Sequence, residues 1–431
     1  MLVAALVAVT TAGVGAGPLA PPVAAAPTGG QLAAQLRAGT LLATHGTRPL
    51  CTGALRCDAR VVTATRGSAR PLSTGTPAGY GPADLARAYD LPPAPVGARG
   101  TVAIIDQGAY PDLAADLATY RHQYGLPACT TRTGCLRIVD YHGGRPLAPD
   151  PTADGRQAEE DLAGETSLDV DMASAACPYC RILEIQVPLD LDKTEDATAA
   201  DFGVATDTAA RLGAAAVSIS YSFTPTAYLT GGPPSRDMVH PGMAITASSG
   251  DAGYTGTRTG WPHIQPTVTS VGGTSLYDDG GRFTEAAWDG AGSGCHATLP
   301  PAVGQPASVA ANCGGHRTSA DVAAVADPAT GPAVYTTYAP YSHQPVGWTV
   351  EGGTSASSPY VGGLYARAGR LPLVLGPNTV YRAPSRALHD VTAGGNDEGN
   401  GGTCPTYALC NAGPGWDGPT GVGTPRGLTA F

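Results

Sequence analysis

Short apolar runs of strand length alternate along this chain with small-residue stretches of helical length. Strands are expected over 101–106, 181–187, 215–220, 243–247 and 267–271, and helices over 111–124, 158–176, 196–212 and 356–368. Such alternation closes into an α/β fold, a parallel sheet flanked by helices on both faces. Residues 27–78 read as a short N-terminal segment with one strand, Arg60-Val61-Val62-Thr63-Ala64, before the loop-forming run 71–77. Residues 79–431 read as one large domain, long enough to bury a substantial core. Neither an internal repeat nor a long low-complexity tract interrupts it.

The ten cysteines fall into sequence neighbours: 51 and 57, 129 and 135, 177 and 180, 295 and 313, 404 and 410. An even count with local spacing reads as disulfides in an oxidising compartment, with the connectivity open. Cys177-Pro178-Tyr179-Cys180 lacks the second ligand pair that a zinc site needs, so a structural disulfide is expected there too. Residues 1–26 are apolar and end in Ala24-Ala25-Ala26, the pattern of a secretory signal peptide, although a basic n-region is missing and the first basic residue is Arg37. No run reaches the roughly 18 apolar residues of a membrane span. A net charge of −10, with Lys193 the single lysine, excludes the clustered basic surface that nucleic acid requires. The expectation is a secreted monomer.

Three segments carry chemistry. In Glu351-Gly352-Gly353-Thr354-Ser355-Ala356-Ser357-Ser358-Pro359 the glycines permit a sharp turn into a helix whose first turn holds the proline, and Ser355 lies where free N–H groups favour negative charge. An ordinary Ser-rich helix cap reads the same way. In Gly164–Ala175, Glu165 and Asp169 share a helix face at a spacing of four. They are either solvated or held in a site where one proton is shared. Ala244-Ile245-Thr246-Ala247 is a buried strand that delivers Asp251 in a glycine-flanked loop, at the sheet edge where α/β proteins bind ligands, though aspartate also favours plain turns.

Together these segments resemble the sedolisin family, the serine-carboxyl peptidases. Further blocks similar to that family are Thr101–Asp106, Val217–Ser222, Pro266–Thr274 and Asp321–Pro328, so the resemblance runs from about Gly79 to the C-terminus. It implies a subtilisin-like sheet and a secreted endopeptidase acting on protein or peptide substrates. Ser355 is then the nucleophile, Glu165 the general base, Asp169 the residue orienting Glu165, and Asp251 the oxyanion-hole acid. A carboxylate base is ionised in mild acid, whereas Asp251 must be protonated to donate to an oxyanion, so activity is expected in acid. The resemblance also implies one structural calcium ion, Ca2+, with side-chain oxygens from Asp390 and Asp417 and carbonyl oxygens from Val391, Gly413 and Gly415. Three departures stand out: only some 50 residues are available for the family's large pro-domain, Ser218 stands where asparagine is usual, and Gly352 where serine is. Two alternatives are an inactive relative that binds peptides and a Ser-His-Asp peptidase built on Asp106 with His142 or His45. His45 precedes Asp106, the wrong order for subtilisin-like enzymes, and His142 lacks a helical small-residue context.

Overall fold

A computed structural model of the chain describes residues 34–36, 40, 45–64, 77–94, 100–225, 236–257, 260–341, 346–397 and 404–431. The signal-peptide segment, residues 1–26, lies outside them. In chain order the strands are β1 Gly46–Pro49, β2 Arg60–Thr63, β3 Thr101–Gln107, β4 Leu136–Asp140, β5 Arg181–Val187, β6 Ala216–Ile219, β7 Ala244–Ser248 and β8 Thr269–Asp279. There follow β9 Arg282–Ala287, β10 Gly294–Cys295, β11 Thr318–Ser319, β12 Val322–Val325, β13 Ala333–Thr336, β14 Gly347–Gly352, β15 Leu388–His389 and β16 Thr424–Pro425. Among the described residues the helices of seven residues or more are α1 Pro82–Ala88, α2 Leu113–Gln123, α3 Ala153–Ala176, α4 Glu195–Arg211 and α5 Thr354–Ala368.

The main sheet runs β12-β8-β7-β6-β3-β5-β4, every pairing parallel, and β9 folds back antiparallel on β8. This is the subtilisin-like α/β arrangement. Side chains of β3 divide between the two faces with period two. Val102 and Ile104 join the core containing Leu168, Met172, Tyr360 and Leu364; Ala103 and Ile105 join the one containing Phe202, Ala205 and Ala209. Burial on both faces explains why these strands read as continuous apolar runs. A second sheet, β1-β2-β14-β13, binds residues 46–63 into the body, and Leu50, Val61 and Val62 enter the main core. Disulfides join the five neighbouring cysteine pairs, leaving no free cysteine among the described residues.

Two helices place the site. α3 is capped by Thr152, whose hydroxyl accepts the Gly155 N–H at 3.0 Å, and most of its length is buried. It packs closely on α5 because Gly363 leaves room: a Cβ there would lie 2.6 Å from the Ala176 Cβ and 3.3 Å from the Ala173 carbonyl oxygen. α5 starts at Thr354 rather than at 356, so Pro359 sits inside it instead of in its first turn. Lacking an N–H, Pro359 leaves the Ser355 carbonyl without its intrahelical donor. The tight approach yields a prediction: Gly363→Val will force the helices apart and lower stability by about 1–3 kcal/mol in urea unfolding. An unchanged midpoint would mean that the contact is loose.

Candidate active site

The site is assembled where β7, β14 and α5 meet. At the end of β14, Gly353 has φ +106°, and a Cβ there would lie 2.2 Å from the Asp58 carbonyl oxygen and 2.6 Å from Asp251 Oδ2. Glycine is required on both counts. Thr354 then donates its N–H and hydroxyl to Asp251 Oδ1 at 2.8 and 3.0 Å, and its hydroxyl accepts the Gly250 N–H at 3.1 Å. The loop after β7 is thereby fixed to the start of α5. Asp251 Oδ2 is buried and makes no hydrogen bond.

Ser355 follows directly and is 0% exposed. Its hydroxyl faces the Ser220 carbonyl at 3.5 Å, a long contact. Glu165 and Asp169 approach from α3, both fully buried. Asp169 Oδ1 accepts the Ser220 hydroxyl at 2.9 Å, so Ser220 connects the serine with the acid pair. Neither Glu165 oxygen has a hydrogen bond of ordinary geometry. Ser355 nevertheless lies close enough for its hydroxyl to favour the ionised carboxylate. All four residues singled out in the sequence, Glu165, Asp169, Asp251 and Ser355, converge here.

Of the acids around them, sequence reasoning singled out Asp106 alone, as the acid of the histidine alternative. Asp106, at the end of β3, is fully buried and reaches Glu165 and Asp169 electrostatically; Glu184 on β5 is coupled to Asp106 and Asp169. Asp58, from the segment before β2, accepts hydroxyls of Ser222 and Ser248 at 2.6 and 2.7 Å. Among the described residues no arginine, lysine or histidine forms an ion pair with any of these acids. Burial therefore dominates their titration. It pushes Asp58 up to about 7 against its two serine donors, and Asp106 up to about 7 against Thr166 and Tyr221. Burial, then the charge of Asp169 and of Asp106, raises Glu165 well above the usual carboxylate range. Burial, then Asp106, does the same for Asp169; burial, then Asp58, does it for Asp251. Such a cluster holds shared protons, not a full set of charges.

His142 is exposed beside β4, where its backbone N–H bonds Asp140 and its ring lies against Tyr141. His45 is turned to the Ala64 carbonyl at 2.7 Å. Neither is a neighbour of Ser355, and Asp106 belongs to the carboxyl cluster. At the other candidate centre, Asp390 accepts the Gly415 N–H at 3.0 Å, and buried Asp417 accepts the Gly413 N–H at 3.2 Å and both donors of Thr420. Burial lifts Asp417 to about 7, and the Asp390 charge adds to the rise. Two converging carboxylates without a cationic partner suit a hard cation with oxygen ligands. Val391 is buried in the same turn. Among the described residues no cluster of three or more His, Cys, Asp or Glu is placed to hold a metal.

The fold is thus that of a subtilisin-like α/β protein, with a serine at a helix start facing buried carboxyls. The chain is similar to kumamolisin and sedolisin. It is 31% identical over 386 residues to kumamolisin of Bacillus sp. (strain MN-32), a match covering 82% of this chain and 63% of that protein. It is 27% identical over 399 residues to sedolisin of Pseudomonas sp. (strain 101), covering 83% and 62%. The chain therefore spans less than two thirds of the length of these curated relatives. A solved structure of Pseudomonas sedolisin, a serine-carboxyl proteinase complexed with two molecules of pseudo-iodotyrostatin, agrees in fold with a TM-score of 0.62 at 24% identity, covering 82% of this chain and 96% of that one. No protein-family model matches the chain.

The buried acids fix the sign of the pH dependence of stability. A carboxyl raised in the folded state contributes stability that is complete below its unfolded value of about 4 and is lost as pH rises through its folded value. For Asp58 and Asp106 that value is about 7, and for buried Glu351 about 8. Melting temperature is expected to fall by at least about 5 °C between mild acid and pH about 8. Asp106→Asn should shrink the fall, because an amide has no charge to bury. Calorimetry that found the parent most stable near pH 8 would contradict this reading.

Proposed function

We propose that this chain is a secreted serine-carboxyl endopeptidase, acting in acid on proteins or peptides. Ser355 attacks the carbonyl, Glu165 takes its proton, Asp169 orients Glu165 through the shared carboxyl environment, and Asp251 donates to the oxyanion. The observation that carries the reading is the placement of Glu165 against Ser355 inside a cluster of buried carboxyls, while Asp251 keeps one buried oxygen unbonded beside Gly353. With Oδ1 already accepting from Thr354, the proton of a neutral Asp251 belongs on Oδ2, where it is available to an oxyanion. A histidine base would be protonated under the same conditions. The five disulfides favour an extracellular setting.

Glu165→Gln and Ser355→Ala should each lower kcat/KM for a casein-derived peptide by roughly a thousandfold or more without loss of fold, and Asp169→Asn by less. Full activity in Glu165→Gln would remove the carboxyl-base assignment. Asp251→Asn should slow the peak rate yet lose much of the decline toward neutral pH, since an amide donates without titrating.

Calcium belongs to the same proposal. Asp390 and Asp417 would supply side-chain oxygens, and Val391, Gly413 and Gly415 carbonyl oxygens, to one stabilising ion remote from the chemistry. Because an ion bound to the native state adds stability by mass action, EDTA should lower the melting temperature of the parent but not of Asp417→Ala. Equal melting with and without EDTA, in protein that metal analysis finds free of calcium, would dismiss the site.

A further inference from the structure

The amino ends of β3, β4 and β5 gather polar side chains that the candidate active site, at the carboxyl ends of the strands, does not use. We propose that Thr101, Arg137 and Arg181 form a binding site for a single phosphate group, remote from Ser355 and independent of its chemistry.

The sheet register brings the three together. On β5, Leu183, Ile185 and Val187 lie in the core that contains Phe202, Ala205 and Ala209 of α4, so Arg181 points to that same face. Thr101 shares the face with Ala103 and Ile105 of β3, and Arg137 shares it with Val139 of β4. Thr101 stands directly opposite Arg181, and Arg137 stands opposite Leu183, one same-face step from Arg181. With strands about 4.8 Å apart and a rise of about 3.3 Å per residue, the two arginine Cα atoms lie roughly 8 Å apart. Side chains as long as arginine converge easily over that distance. Thr101, Arg137 and Arg181 line one cavity of about 200 Å³, walled by Gly134, Cys135 and Leu212.

The charge of this cavity is one-sided. No carboxylate lines it. Among the described residues neither guanidinium forms an ion pair or a side-chain hydrogen bond, and the Thr101 hydroxyl has no partner. In a chain with 35 acids against 25 lysines and arginines, most cations have an acid within easy reach, yet these two neighbours face a pocket without one. Like charges side by side on a sheet repel, and an anion bridging both arginines removes the repulsion. Guanidinium forks bond phosphate oxygens in pairs, and phosphate offers more acceptor oxygens than a carboxylate does. The cavity lies below the range of about 300–1,000 Å³ typical of sites for drug-sized ligands, so it suits one small group and neither a peptide nor a polyanion.

The frame is braced in advance. Cys135, two residues before Arg137, is tied to Cys129, and Cys180, directly before Arg181, is tied to Cys177. The Ile182 N–H donates to the Cys135 carbonyl at 2.8 Å, which locks the starts of β4 and β5 to each other. Both arginines are exposed, so the cavity is open to an ion from solvent. A backbone already fixed leaves only side-chain ordering to oppose binding.

The test titrates the full chain with sodium phosphate, and separately with glycerol phosphate, near neutral pH where both groups are largely doubly charged. Sodium chloride at equal ionic strength is the baseline, and melting temperature and calorimetric heat are read together. Phosphate should raise the melting temperature saturably, as a ligand of the native state does, and chloride should not. Arg137→Gln and Arg181→Gln should each weaken the apparent affinity roughly tenfold or more, and Thr101→Val by less. Arg386→Gln, at an exposed arginine outside the cavity, should leave the affinity unchanged. Glycerol phosphate bound at least as tightly as the free ion would support a site for a phosphate ester; a preference for inorganic phosphate would support a site for the free ion. No saturable response into the tens of millimolar, or an equal response in the variant carrying both arginine substitutions, would overturn the inference and leave Arg137 and Arg181 as solvated cations.

Discussion

Carboxyl groups buried without an ion-pair partner among the described residues are the constraint around which the centre of this molecule is organised. Removing an ionised acid from water costs so much that the group keeps its proton unless something compensates. Here the compensation comes from serine, threonine and tyrosine hydroxyls and from backbone N–H groups, with Arg60 adding a favourable charge at Asp251 alone. Asp58, Asp106, Glu165, Asp169, Glu184 and Asp251 are bound into one electrostatic unit. The proton count of that unit, more than any single residue, decides which oxygen can accept and which can donate.

The same constraint explains why so much of the chain serves a small volume. α3 brings two acids because its four-residue spacing faces both inward, β3 adds Asp106 near its carboxyl end and β5 adds Glu184 at mid-strand. β14 and the glycine turn bring the serine. Close packing at Gly363 sets how far α5 stands from α3, so the separation between serine and glutamate depends on a missing side chain as much as on those present.

Much of this was legible in the sequence. The parallel strands announced themselves because burial on both faces demands uninterrupted apolar runs, and β5 matches its expected limits of 181–187. The Gly-Thr-Ser turn, the Glu165–Asp169 spacing and the loop acid Asp251 carried enough local pattern to be picked out one by one. Asp58 and Glu184 did not, since each is a lone acid in an ordinary neighbourhood and acquires meaning only through contacts with residues far away in the chain, and Asp106 stood out only as the strand-end acid of a histidine triad. Asp58 meets Ser222 and Ser248 across separations of 164 and 190 residues. The early start of α5 was hidden for a local reason, because Pro359 suggested a helix boundary that the packing around Thr354 overrides.

The wiring of the site by hydroxyls has one more consequence. Ser220, Ser222, Ser248 and Thr354 position the acids through short, neutral contacts that are buried or partly buried. Debye screening weakens forces between charges in water, but it has little purchase on neutral donors in a dry interior. The internal geometry of this centre should therefore be largely indifferent to ionic strength.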